Sequence, residues 1–98
     1  MTQLSSRDTA RLLQVLGRMC DLLRAYGKHD WADALSDIGA RQVDEDVRGD
    51  ILRLYGGAGS LNDLVLHSDD HARMMADNNE FEAFRSELYE LARSRVAP

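Results

Sequence analysis

The sequence predicts a mainly α-helical protein, folded as a single small bundle of three to four helices over residues 1–98. Apolar residues recur at steps of three and four along four stretches of the chain, which is the period of an amphipathic helix. A chain of 98 residues suits one compact domain. Its 44% hydrophobic and 30% charged residues are enough to fill one core and to solvate the surface around it. The pattern also leaves room for an ordered glycine-rich loop and one short β-hairpin.

The first two helices have clear stripes and clear ends. The first is predicted over residues 6–26, where Ser5 or Ser6 can cap the first turn. Gly27 suits the left-handed position that follows many helices. The second is predicted over residues 30–39, between an aspartate at its start and a glycine at its end.

The third and last helices follow the same period. The third is predicted over residues 44–55, because three acids in its first turn suit the positive end of the helix dipole and Gly56 and Gly57 end it. The last is predicted over residues 79–95. The predicted core consists of apolar residues from all four stripes: Leu12, Leu16, Met19, Leu23, Trp31, Leu35, Ile38, Ile51, Leu54, Phe81, Phe84, Leu88 and Leu91.

The glycine-rich stretch at residues 56–60 is predicted to be a loop of defined shape. Successive backbone N–H groups there could cradle an anion, but no lysine follows the glycines as a phosphate-binding P-loop requires. A helix stop and tight turn, held by side chains that bond to the neighbouring backbone, is the favoured interpretation. The residues assigned to this structural loop are Gly56, Gly57, Gly59, Ser60, Asn62 and Asp63.

The segment between residues 64 and 76 allows two structures. Leu64-Val65-Leu66 could form a strand to which Arg73-Met74-Met75 returns, giving a short hairpin. Alternatively, residues 69–76 form a helical turn capped by Ser68. Periodicity over so few residues does not decide between them.

The chemistry-bearing side chains do not form a catalytic pattern. His67, Asp69, Asp70 and His71 are potential metal ligands, but their spacing favours a solvated acidic turn over a metal site. Cys20 lies on the apolar stripe of the first helix, where a thiol behaves as a small hydrophobe. The sequence therefore predicts no enzyme activity, no metal and no cofactor.

Charge is distributed unevenly along the chain. The net charge is −5, and residues 28–82 carry thirteen acidic against five basic side chains, which leaves this stretch at −8. Such a field repels nucleic acid and steers a basic protein toward the middle of the chain. No apolar run is long enough to cross a membrane and no secretory signal is recognised, so we expect a cytoplasmic protein.

Two stretches of the sequence carry a resemblance. Residues 54–67, Leu-Tyr-Gly-Gly-Ala-Gly-Ser-Leu-Asn-Asp-Leu-Val-Leu-His, are followed later by residues 84–91, Phe-Arg-Ser-Glu-Leu-Tyr-Glu-Leu. Together they resemble a family of small uncharacterised bacterial domains with a Leu-Tyr-Gly-Gly-x-Gly-Ser-x-Asn-Asp core. Short acidic proteins of this kind resemble the immunity proteins encoded beside bacterial toxins. The resemblance implies no catalytic residue.

The functional expectation is a non-catalytic, immunity-like protein that neutralises a basic protein partner such as a toxin. The partner-binding residues predicted from the acidic segment are Asp33, Asp37, Asp44, Glu45, Asp46, Asp69 and Asp70. Two alternatives remain. One is a small ligand-binding domain or enzyme that uses Ser60, Asn62, Asp63 and His67 of the Gly56–His67 loop. The other is an interaction subunit that forms homodimers through Tyr89 and Val96.

Overall fold

Four α-helices and one 3₁₀ turn form the fold in the computed structural model, which describes residues 5–41, 45–56 and 60–93. The helices are α1 (Ser6–Ala25), α2 (His29–Gly39), α3 (Glu45–Arg53) and α4 (His71–Arg93), and the 3₁₀ turn is Leu61–Asp63. The predicted mainly α fold class is confirmed. Within the described helices, no stretch is both long and apolar enough to cross a bilayer.

The ends of α1 are set by the residues that the sequence indicates. The Ser5 hydroxyl accepts a hydrogen bond from the backbone N–H of Asp8 at 3.1 Å, which satisfies a donor that the helix itself leaves unpaired. After Tyr26, the chain turns through Gly27, whose φ of 75° lies in the left-handed region. Glycine adopts that conformation without the steric cost that a Cβ atom brings.

Two glycines of this part of the chain should respond oppositely to alanine. Gly17→Ala is expected to raise the free energy of unfolding by about 0.5–1 kcal/mol, because Gly17 is inside α1 with nothing within 4 Å of an added Cβ. Gly27→Ala should lower it by about 1 kcal/mol through backbone strain alone, since its added Cβ also meets nothing within 4 Å. Urea denaturation of the two variants measures both shifts. Equal signs would contradict the assigned end of α1.

Helices α1 and α4 run antiparallel. The polar contacts that show this are Arg11 with Glu87, Arg18 with Glu80 and Tyr26 with Asp77. As the residue number rises along α1 it falls along α4, so the end of α1 lies beside the start of α4. These contacts are partly or fully exposed, so they define the direction of packing more than they stabilise it.

The other two helices also pack antiparallel to their neighbours. The Cys20 thiol donates to the carbonyl of Ala32 at 3.4 Å, which joins α1 to α2. The Arg48 Nε donates to the carbonyl of Ala92 at 3.0 Å, near the end of α4 where a helix favours a positive charge. Helix α4 therefore packs against both α1 and α3.

The core contains every residue predicted for it. Nine of the thirteen are buried, and the remaining four, Trp31, Leu54, Phe84 and Leu91, are partly buried and pack against them. The predicted core leaves out Leu61 and Leu66, which are both fully buried. They belong to the connection between α3 and α4, where no helical period marks them.

The predicted hairpin is wrong. Residues 71–76 belong to α4, which begins eight residues earlier than the predicted start at Asn79, and the described residues contain no strand. The reason is a helix cap: the Asp70 carboxylate accepts the backbone N–H of Arg73 at 3.1 Å. The alternative helical turn over residues 69–76 was closer, although Ser68 bonds to the N–H of Asp70 and does not cap the helix itself.

Helix α3 is shorter than predicted, and hydrogen bonds hold the turn that follows it. It ends at Arg53, and the carbonyl of Leu54 accepts the backbone N–H of Leu61 at 2.7 Å. The Asn62 side-chain amide donates to the carbonyl of Tyr55 at 3.0 Å. These bonds bring the two sides of the glycine-rich loop together. Gly57 and Gly59 lie outside the described residues.

Candidate functional site

Three parts of the chain meet at one end of the bundle. The end of α1 is followed at once by α2, and the Arg24 guanidinium of α1 lies 2.9 Å from the Asp33 carboxylate of α2. On its other side, the Tyr26 hydroxyl donates to Asp77 of α4 at 2.5 Å. The first two turns of α2 and of α4 therefore flank the same end of α1.

This end carries four exposed carboxylates. We define the acidic end as Asp30 and Asp33 of α2 together with Asp69 and Asp70 before α4, all of which are exposed. The hydrogen bond to Asp77 raises the pKa of Tyr26, and burial and the Asp77 and Asp70 charges act in the same direction. That electrostatic effect is consistent with the position of Asp70 near the end of α1.

Two of the basic side chains at this end, Arg24 and Arg73, are already engaged. Arg24 pairs with Asp33, whose side chain stays 65% exposed. Arg73 lies 3.6 Å from Asp77, with its guanidinium 6.0 Å from the centre of the Tyr26 ring. The paired bases lower the net negative charge of the surface without covering its carboxylates.

The remaining predicted partner-binding residues lie elsewhere. Asp37 is exposed one turn after Asp33 on α2, and Asp46 is exposed at the start of α3. The start of α3 lies beside the end of α4, which is the end of the bundle opposite to Asp69 and Asp70. Asp44 and the side chain of Glu45 lie outside the described residues. The structure thus puts Asp33, Asp69 and Asp70 at one end of the bundle and Asp46 at the other.

A cleft of about 540 Å³ lies between the end of α3 and the middle of α4. The residues that line it are Leu52, Tyr55, Gly56, Asn62, Glu82, Arg85, Ser86, Tyr89 and Glu90. The Tyr55 and Tyr89 rings meet edge to face with centres 5.0 Å apart. Burial raises the pKa of Tyr55, and its hydroxyl donates to the carbonyl of Arg85 at 2.6 Å. This tyrosine therefore stays neutral and joins the turn after α3 to α4.

The glycine-loop residues do not converge on this cleft. Gly56 and Asn62 line it, whereas Ser60 is buried, with no hydrogen bond to its hydroxyl within the described part of the chain. Asp63 is exposed at the end of the 3₁₀ turn, and His67 is exposed four residues further on. Of the four residues assigned to the alternative ligand site, Asn62 is the one that the structure places in the cleft wall.

Residues 64–68, which we call the edge segment, connect the 3₁₀ turn to α4 without helical structure, and the backbone of Leu64 is extended (φ −75°, ψ 125°). Leu66 is fully buried, and the Asn78 side-chain amide pairs with both its N–H (2.8 Å) and its C=O (2.9 Å). The Arg85 guanidinium donates to the carbonyls of Leu61 and Leu64, each at 3.1 Å. Sequence reasoning missed both roles, because a polar residue inside a helix gives no signal of its distant backbone partner.

The other reactive side chains have ordinary environments. Burial is the largest influence on the Cys20 thiol and raises its pKa, which disfavours the reactive thiolate. His67 belongs to the edge segment and His71 begins α4. Across the ranges that the structure describes, no three histidine, cysteine, aspartate or glutamate side chains are grouped as metal ligands would be.

Comparison with known proteins gives one match. Neither the curated proteins nor the solved structures include a match to this chain. One family model matches residues 24–73, which cover α2, α3, the glycine-rich loop, the edge segment and the first residues of α4. The match contains the first stretch of the resemblance noted above and not the second, at residues 84–91. The chain belongs to this family, which is described as a domain of unknown function, DUF6966.

Proposed function

We propose that this protein is a non-catalytic binding domain that neutralises a basic protein partner, such as a bacterial toxin, in the cytoplasm. The observation that carries the proposal is the acidic end, where the packing of α1 with α2 and α4 puts Asp30 and Asp33 on one side of the end of α1 and Asp69 and Asp70 on the other. Before folding, these two pairs are nearly forty residues apart along the chain.

The acidic end acts by electrostatic steering. The electric fields of exposed carboxylates add at points that lie within about one Debye length of each of them, about 10 Å at 0.1 M salt. A surface of this sign accelerates the approach of a basic protein and repels an acidic one. The immunity-like role additionally relies on the resemblance to short acidic proteins encoded beside toxins.

Charge reversal tests the proposal. The probe is the purified product of the reading frame adjacent to this coding region, and its association rate is measured at low and moderate salt. The double variant Asp33→Arg with Asp69→Arg should slow association about tenfold at low salt and flatten its salt dependence. Asp70 is left unchanged because it caps α4.

A matched control separates the acidic end from net charge. Asp37→Arg with Asp46→Arg changes the total charge equally, at exposed positions outside the acidic end. It should slow association clearly less than the first double variant. Equal rates for the two variants, or no binding of the neighbouring product at micromolar concentration, would count against the proposal.

The ligand-binding and homodimer alternatives remain predictions. The cleft gives the first a location, although it contains Asn62 without Ser60 or His67. For the second, Tyr89 is 39% exposed but its ring contacts Tyr55 edge to face, and Val96 lies outside the described residues. Neither alternative has an observation that favours it over binding at the acidic end.

A further inference from the structure

We infer that the outer side of the edge segment accepts an extended, basic strand of the partner, which would pair with it as an added β-strand. This inference rests on the proposed function, because it names the element through which the basic partner is bound. The segment ends beside Asp69 and Asp70 of the acidic end.

On the side of the edge segment that faces α4, the backbone groups bond to side chains of α4. The Asn78 side chain hydrogen-bonds to both the N–H and the C=O of Leu66, and the Arg85 guanidinium donates to the carbonyl of Leu64. The backbone N–H of Ser68 points to the Met74 sulfur at 3.4 Å. Every second residue of the segment is therefore bonded towards the bundle.

The intervening residues, Val65 and His67, present their backbone away from those contacts. Within the described residues, no hydrogen bond reaches the N–H or C=O of either one. Their side chains are exposed on both sides of buried Leu66, which is the alternation of a strand with one face buried. In an extended chain, backbone groups of alternate residues point to opposite sides. Val65 and His67 thus offer backbone donors and acceptors that the described residues leave unpaired.

The chemistry of this edge selects an extended peptide. Val65 and His67 each offer one backbone donor and one acceptor, and these pairs repeat every roughly 7 Å, which is the spacing in the backbone of another strand. A helix could not pair with them, because its backbone groups already bond to one another. Val65 is 51% exposed and offers an apolar contact. Exposed carboxylates stand at both ends of the segment, Asp63 before it and Asp69 with Asp70 after it. A strand that alternates apolar with lysine or arginine residues complements both features.

The experiment titrates the protein with the end-blocked peptide Lys-Val-Lys-Val-Lys and follows backbone amide hydrogen exchange by NMR. In the free protein, the Leu66 amide should exchange slowly, and the amides of Val65 and His67 should exchange rapidly. Bound peptide should slow exchange at Val65 or His67 at least about tenfold, because a hydrogen-bonded amide exchanges only on opening. The peptide Glu-Val-Glu-Val-Glu should not bind, and neither should the lysine peptide after N-methylation of all its inner amides.

A pair of variants tests the edge from the side of the protein. Val65→Pro removes one edge donor, and Leu64 already has the extended conformation (φ −75°, ψ 125°) that a following proline prefers. Val65→Ala removes the side chain and keeps the donor. Proline should weaken peptide binding about tenfold and alanine about two- to threefold. Unfolding of either variant would show as a loss of the slow Leu66 exchange.

Several results would overturn the inference. One is peptide binding that leaves Val65 and His67 unprotected, and another is an equal effect of proline and alanine. A third is protection of both amides without peptide, together with sedimentation as a dimer, because a second copy would then occupy the edge. If the neighbouring gene product binds through the acidic end but the peptide does not bind, the inference fails while the proposed function stands.

Discussion

Phe81→Ala is expected to cost about 3–5 kcal/mol of the free energy of unfolding, the largest loss from a single substitution that we predict. Phe81 is 1% exposed and belongs to the helix that packs against both α1 and α3. Its removal leaves a cavity that the neighbouring helices cannot all close. The guanidinium of Arg85 also lies 5.7 Å from the centre of its ring, so the support of this side chain for the edge segment weakens as well.

The control for this prediction is Phe84→Ala, one turn further along α4. Phe84 is only partly buried, and its loss should cost roughly half as much because part of its ring is already in water. Chemical denaturation measures both values. A typical domain has about 5–15 kcal/mol to lose, so the Phe81 variant should lose a large share of the stability of the protein. Equal losses for the two phenylalanines would contradict the orientation of α4.

Asn78→Ala is expected to cost about 2–3 kcal/mol, which is large for a polar side chain. The side-chain amide makes three hydrogen bonds to backbone, two to Leu66 and one to the carbonyl of Met74. Alanine leaves the backbone N–H and C=O of Leu66 without partners. The side chain of Leu66 is fully buried. The edge segment should then detach, which would appear as rapid exchange of the Leu66 amide.

Asn79→Ala is the matched control because it removes the same side chain from the next position of α4. Asn79 is exposed and should change the free energy of unfolding by no more than about 0.5 kcal/mol. Asn78→Asp should be intermediate, since it keeps the acceptor for Leu66 and loses both donors. A loss for Asn78→Ala no greater than for the control would show that the segment is held in another way.

Helices with long apolar stripes could be predicted from the sequence. The first helix was correct to within one residue, because Ser5 and Gly27 mark its ends as strongly as the stripe marks its body. The buried residues of α2 and α4 followed from the same period. In these elements, local preference and burial favour the same structure.

The start of α4 could not be predicted in the same way. Residues 71–78 have few buried side chains, so they lack an apolar stripe, and their helical state depends on the Asp70 cap and on good helix formers. The apolar runs Leu64-Val65-Leu66 and Met74-Met75 suggested strands instead. The side chain of Asn78 fixes the edge segment against α4 through hydrogen bonds to Leu66, twelve residues earlier. No local sequence pattern predicts such bonds.

The candidate site was predictable in its charge and not in its arrangement. The sequence shows that residues 28–82 are acidic, but only the antiparallel packing determines which carboxylates become neighbours. Asp33 and Asp69 lie at the same end of the bundle for that reason, while Asp46 lies at the other. The unpaired edge at Val65 was invisible because hydrogen-bond partners of a backbone depend on the folded chain.

The pairing of α1 with α4 affects how the protein can be made. Arg11 meets Glu87 across 76 positions, and the stripe of α1 is covered on one side by α4. During translation, the first helix therefore leaves the ribosome long before its partner has been synthesised. Its leucines must remain shielded, by α2 or by a chaperone, until Leu88 emerges. The growing polypeptide is thus most prone to aggregate just before the final turns of α4 are added.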